Sequence, residues 1–288
     1  MNALFSRPLL ATEHTEFDSG AESLALSIAQ ECNLRLAVVV PLLSNPEYEA
    51  LAPQIAARAE QVIAGKAAVF RGQSAALGVA LDVHIRRGEE PYREIVQEAL
   101  DIRSDLIVIR RRGKRGFLAN LVVGEMVNKV VAHAPCDVLI VPRNARMWRQ
   151  CVLVAAEADL QGRQIASKAT AVAAECGLPL YVVTVVQADA QRVQAESFIG
   201  EILMQARQRG VAAEGAVRIG KPYSEILQAA TECLADLIVI GSRGDIYNIS
   251  LGRAMVGGVA QKVMGFCEHP VLVVGSGPRM VKGMAHHE

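Results

Sequence analysis

The pentapeptide DLIVI occurs twice in the chain, at residues 105–109 and again at 236–240. The first copy runs on into RRRGKRG (110–116) and the second into GSRGD (241–245). A short apolar run that begins at an acid and ends at turn-forming or charged residues reads as a strand covered on both faces, the type found inside parallel sheets. The repetition extends outward. AQECNLRLAVVV (29–40) matches AAECGLPLYVVT (173–184) at an offset of 144, and PYREIVQEAL (91–100) matches PYSEILQAAT (222–231) at 131, the offset that DLIVI also keeps. NKVVAHAPCDVLIV (128–141) matches QKVMGFCEHPVLVV (261–274) at 133. Four matches in one order with drifting offsets identify two homologous halves. The polar stretch PRNARMWRQ (142–150) marks their junction, which divides the chain into domains 1–145 and 146–288.

Each half has the same rhythm. In the first, the apolar runs LLAT, LAVVVPL, ALDVHI, DLIVI and DVLIV alternate with helical periodicity over about 19–32, 46–71, 90–103 and 124–133. In the second, the strands are VLVAAE, LPLYVVTVV, GAVRI, DLIVIG and PVLVV. Strand–helix alternation with nearly continuous apolar strands predicts an α/β fold, a five-stranded parallel sheet with helices on both faces, built twice. In such sheets a ligand binds beyond the carboxyl ends of the strands, where strand order reverses. The residues that follow the first and fourth strands of each half are therefore the candidate site.

Bulk properties narrow the function classes. The 288 residues are 51% hydrophobic and 21% charged, with thirty basic residues against thirty acidic, so no global field favours nucleic acid or an anionic membrane. No run reaches the 18 or so apolar residues of a membrane span, the N-terminus does not read as a signal peptide, and six cysteines without a CxxC pair read as reduced thiols. The expectation is a cytoplasmic protein. The run Arg110, Arg111, Arg112, Lys114, Arg115 lacks interleaved aromatics in a chain with only 4% of them, so it reads as a solvated or internally paired loop rather than a nucleic-acid grip. Glu13, His14, Glu16 and Asp18 read as a loop entering a helix, with Asp18 or Ser19 as N-cap, and no metal site is expected.

The second half resembles the universal stress protein family in VLVAAEAD (152–159), VRIGKPYSEIL (217–227), DLIVIGSRG (236–244), GGVAQKVM (257–264) and HPVLVVG (269–275). The family pattern is a strand ending in an acid, a GxP turn, a strand ending in G-x-x-G, a nine-residue spacer, and G-[ST] opening the last helix. The resemblance covers both halves, so the chain resembles a tandem member. It implies two Rossmann-like domains, similar to adenine nucleotide alpha hydrolases, and an adenine nucleotide such as ATP as ligand. The residue types suit that chemistry. Glycines after the fourth strand let backbone amides approach phosphate oxygens, and a helix start adds its dipole.

Carried across by position, the resemblance implies nucleotide contacts at Glu157, Val185, Gly220, Gly241, Arg243, Gly244, Gly257 and Gly258. The second half departs from the pattern in its twelve-residue spacer and in Gly258, where a hydroxyl residue is usual. The first half offers Glu13, Val40, Arg110, Gly113, Gly124 and Glu125, with Arg110 in place of the first glycine and Glu125 in place of Ser/Thr. That half is expected to be degenerate, with Glu125 filling the anion position and pairing with an arginine of 110–112.

No nucleophile–base–orienter set, HExxH or P-loop lysine motif occurs, which points away from an enzyme, slow ATP turnover being the exception left open. Two readings stand. One is a nucleotide-binding sensor in stress response, binding mainly in the second half, with an unidentified protein partner. The other is a structural or interaction protein that works through its surface and dimer contacts. The last strands, DVLIV and PVLVV, are the expected pairing elements, either within one chain as a pseudo-dimer or between two chains.

Overall fold

The structure, a computed structural model, describes residues 4–44, 51, 53–111, 124–242 and 255–275. The first half contains β1 (Pro8–Ala11), α1 (Ser19–Glu31), β2 (Leu36–Leu43), α2 (Pro53–Ala76), β3 (Leu81–Gly88), α3 (Pro91–Asp101), β4 (Leu106–Arg110), α4 (Glu125–His133) and β5 (Asp137–Val141). The second contains β6 (Val152–Ala155), α5 (Leu160–Cys176), β7 (Leu180–Val186), α6 (Arg192–Gln208), β8 (Ala213–Ile219), α7 (Pro222–Glu232), β9 (Leu237–Gly241), α8 (Gly258–Phe266) and β10 (Val271–Val274). The expected helices and strands are present. α2 continues to Ala76, five residues beyond the periodicity reading, and the expected helix start at 46 lies outside the described residues. Arg112, Gly113, Lys114, Arg115, Arg243 and Gly244 also lie outside them.

The strands form one ten-stranded sheet in the order β3-β2-β1-β4-β5-β10-β9-β6-β7-β8. Within each half every pairing is parallel. The halves meet through β5 and β10, which run antiparallel with Leu139 opposite Leu272. The two last strands therefore satisfy each other inside one chain, and each uses its outer edge in doing so.

Strand alternation sorts the side chains into two layers. Leu10, Val38, Val108 and Leu139 face α1 and α2, while Val154, Val182 and Val239 face α5 and α6 in the same continuous core. Leu9, Ile107, Ile140, Leu153 and Ile238 point the other way, under α3, α4, α7 and α8. Leu9, Leu10, Ile107 and Leu153 are fully buried, so truncation of any one to alanine costs about 2–5 kcal/mol. The edge strands β3 and β8 are half-buried and carry charges on their open side, as edges that resist further pairing do.

Two features tie the halves together besides the sheet. The connection 142–150 is packed rather than loose. Trp148 is 5% exposed and donates its indole N–H to Cys176 Sγ at 3.2 Å. Arg111, next in chain after β4, reaches across to the end of α8, where it donates to the carbonyls of Gly265 (3.2 Å) and Cys267. Those carbonyls lack partners inside the helix, so a cation there satisfies them and the negative end of the dipole. The cysteines are all free, but they are not uniformly core: Cys151 and Cys267 are buried, whereas Cys176 is exposed at the end of its helix. Burial pushes the Cys136 thiol up to about 12 and that of Cys267 up to about 11, which keeps both protonated.

A charged cluster holds β3 to α3. Glu98 is buried and accepts from Arg86 at 2.6 Å and from His84 Nδ1, and His84 Nε2 lies 3.3 Å from Asp82. The hydrogen bond to Glu98 raises the His84 pKa above its usual value. A raised pKa means that the pairing stabilises the fold fully below the unfolded value of about 6.5 and is lost as pH rises through the folded value. The thermal midpoint of the wild type should therefore fall more between pH 6 and pH 8 than that of His84→Asn, as read by melting at the two pH values.

Candidate functional site

In each half the strand order reverses between the first and fourth strands, so a crevice opens beyond the carboxyl ends of β1 and β4 in one half and of β6 and β9 in the other. Sheet register makes the two comparable. Leu9 sits opposite Ile107 as Leu153 sits opposite Ile238, which extends the offset of 144 from β1 through α1 to β2 without a gap.

In the second half the crevice is a cleft of about 690 Å³, its solvent-open mouth included. Its described lining includes Glu157 after β6, Val185 on β7, Pro222 at the start of α7, Gly241 at the end of β9, and Val259 and Ala260 in the first turn of α8. Glu157 and Val185 also line an adjoining cavity with Gln187, Gln191 and Gln194, so the space continues over the end of β7. Of the residues expected from sequence, the structure brings Glu157, Val185 and Gly241 into this lining. Gly220 stands behind it, with φ +155°. That backbone conformation is one that side-chain-bearing residues rarely adopt, so the glycine suits its turn, and the wall itself is Pro222. Gly257 is the N-cap of α8 and Gly258 its first residue. Gly257 N donates to Ser242 O at 3.0 Å, which ties the helix start to the end of β9.

The floor of the cleft depends on small residues. A Cβ on Gly241 would lie 2.6 Å from Ile165 Cδ1, and one on Gly162 would lie 1.9 Å from the carbonyl oxygen of Glu157. Gly162, Ile165, Gln161 and Asp159 were not among the sequence candidates. Asp159 caps α5 by accepting from Gly162 N at 2.6 Å, and the Asp-x-x-Gly spacing at a helix start was the signal that could have found it. The N-termini of α5 and α8 both open on the cleft; the first is already capped by the Asp159 carboxylate, and the dipole of α8 favours a negatively charged group there.

The equivalent place in the first half is closed. Its crevice holds about 230 Å³, and Arg110, in the position of Gly241, is buried at 9% exposure. The guanidinium donates to Glu13 Oε2 (3.1 Å) and to Thr15 Oγ1 (2.9 Å), and its Nε lies 3.2 Å from Asp18 Oδ1. The Phe17 ring lies 6.0 Å from the guanidinium carbon. Asp18 is the N-cap residue of α1, but its carboxylate does not cap the helix. It accepts from Thr15 N (2.9 Å) and Thr15 Oγ1 (2.6 Å) and pairs with Arg110. Of the expected pairing of Glu125 with an arginine of 110–112, the described residues show none with Arg110 or Arg111, and Arg112 lies outside them. Glu125 is 83% exposed and pairs with Lys129 one turn along α4, at 3.0 Å, while Arg110 is taken by the nearer acids Glu13 and Asp18, and Arg111 by the end of α8. Gly124 is the N-cap of α4. Val40 is buried and faces a separate small cavity with Val38, Phe70 and Lys66, and Pro41 takes the crevice position.

Side chains change in concert between the halves. Arg110 replaces Gly241, Ala21 replaces the Ile165 that would clash with a side chain there, and Asp18 replaces Gly162 and supplies the countercharge. Among the described residues no three His, Cys, Asp or Glu side chains gather as a metal site, and no helix is long and apolar enough to cross a membrane.

The model of the universal stress protein family matches residues 7–142 and again 149–275. The chain belongs to that family. Its two copies cover most of the length, in agreement with the internal offsets. A universal stress protein of Thermus aquaticus is 34% identical over 145 residues, which is 48% of this chain and 99% of the relative. Among solved structures, a universal stress protein from Archaeoglobus fulgidus superposes with a TM-score of 0.71 at 19% identity, covering 95% of this chain and 98% of that one. A second, from Pseudomonas aeruginosa, gives 0.69 at 17% identity, with 96% and 95% covered. The tandem fold of universal stress proteins is thus shared across both halves.

Proposed function

We propose that this universal stress protein is a single-site adenine-nucleotide sensor, with ATP or a related nucleotide held in the second half and the first half serving as its closed partner. The observation that carries the reading is the contrast at the end of the fourth strand. Gly241 puts no side chain between the end of β9 and a wide cleft, whereas Arg110 fills the same place with a paired guanidinium. In this reading the Glu157 carboxylate accepts from the adenine amino group or a ribose hydroxyl, and Val185 flanks the base. The backbone beyond Gly241 and the Gly258 amide at the start of α8 receive the phosphates, Gly257 and Gly220 shape their turns, and Arg243 and Gly244, outside the described residues, are carried as contacts by the family resemblance. No residue is assigned a catalytic role, and the protein acts by changing its surface toward a protein partner when the nucleotide binds.

Native mass spectrometry followed by calorimetric titration with ATP tests the reading. The expected result is one nucleotide per chain, and phosphate release no faster than from a Gly241→Arg control. Neither a co-purified nucleotide nor heat at millimolar ATP would instead favour a structural protein that works through its surface. The Gly258 position, without the hydroxyl usual in the family, is the feature that favours this second reading.

A further inference from the structure

Four residues around the fourth-strand end differ between the halves: Phe17 against Gln161, Asp18 against Gly162, Ala21 against Ile165, and Arg110 against Gly241. In the first half all four belong to the plug. In the second, packing accounts for three: Gly162 passes under the Glu157 carbonyl, and Ile165 fills the space beside Gly241. Gln161 has no such role. It is half-buried, it lines the cleft, and its Nε2 lies 3.6 Å from where a Cβ on Gly241 would be. Its side chain makes no hydrogen bond with any described residue. The lining it shares holds the apolar Ile165, Val259 and Ala260 together with Glu157 and Asp159. A carboxamide brings two donors, and here they face the open cleft, where a ligand can take them.

The position selects the partner. Gln161 shares the cavity of Gly241 and α8, whereas Gln187 and Gln194 share the adjoining one at the end of β7. The start of α8 offers amides but no side chain: a Cβ built on Gly258 meets nothing within 4 Å, so the space for a hydroxyl is open and unused. We propose that Gln161 is the side-chain donor that reads the nucleotide's phosphate in the second half, reaching it from α5 over Gly241 and standing in for the hydroxyl absent from position 258. The proposal rests on the nucleotide reading above and names a contact which that reading does not require.

Calorimetry of the wild type, Gln161→Ala and Gln161→Ala/Gly258→Ser with ATP and with adenosine tests it. A hydrogen bond to a charged oxygen is worth about tenfold or more in affinity. Gln161→Ala should therefore weaken ATP by about that factor, leave adenosine binding unchanged and keep the wild-type thermal midpoint. The serine of the double variant should recover part of the ATP loss. Unchanged ATP affinity in Gln161→Ala, or an equal loss for adenosine, overturns the assignment while leaving the nucleotide reading intact. A wild type that binds neither ligand overturns both.

Discussion

Gly241→Arg should abolish nucleotide binding and leave the chain folded. The first half carries this exchange naturally, because Ala21 leaves room for Arg110 and Asp18 and Glu13 neutralise it. The second half lacks the room and the counterpart of Asp18, and keeps only Glu157 in the place of Glu13. A Cβ at 241 meets Ile165 Cδ1 at 2.6 Å, and Gly162 offers no carboxylate. The new guanidinium must turn into the cleft, toward Glu157 and Asp159, where it occupies the phosphate position and blocks the close approach of backbone amides. We expect at least a hundredfold loss of ATP affinity by calorimetry. Overpacking against Ile165 should destabilise by about 1–3 kcal/mol, a drop of a few degrees in thermal midpoint. Near-wild-type affinity in the folded variant would mean that the ligand does not use the end of β9.

Arg110→Ala should cost the first half as much stability as the truncation of a core side chain. The Asp18 side chain is 2% exposed, and without the guanidinium its charge is left buried, helped only by Thr15. Removing one partner of a buried ion pair costs about 3–5 kcal/mol. Glu13 is more than a third exposed, so water can take over its share. We expect about 3 kcal/mol, or a fall in thermal midpoint on the order of 10 °C. Combining Arg110→Ala with Asp18→Ala should recover part of this, because no orphan carboxylate remains. If the double variant is as unstable as the sum of the two single ones, the three groups are not acting as one buried cluster.

The sequence revealed the duplication, the parallel strands and the position of the crevices because each follows from local periodicity and repetition. DLIVI had to be a covered strand, and whatever followed it had to lie at the switch point. What the sequence hid were contacts between elements distant in the chain. Glu125 was expected to pair with an arginine of 110–112, but its carboxylate finds Lys129 one turn on, and Arg110 is held by Glu13 and Asp18. Asp18 looked like an ordinary N-cap, and only the approach of β4 to α1 turns its carboxylate inward. The concerted exchange of Asp18, Ala21 and Arg110 for Gly162, Ile165 and Gly241 joins positions about ninety or eighty residues apart, so no local window could pair them. Gln161 escaped for the same reason, since its relation to Gly241 exists only across the cleft. Trp148, in a connection that reads as polar, is buried because the ten-stranded sheet folds the junction against α5.

The central claim is that one crevice is open to nucleotide and the other is permanently filled by Arg110. A crystal structure of the full chain grown in millimolar ATP tests it most directly. The account predicts nucleotide density only in the second half, with phosphates at Gly241 and the start of α8, and Arg110 still held by Glu13 and Asp18. Nucleotide in the first half with Arg110 displaced from those acids would contradict it.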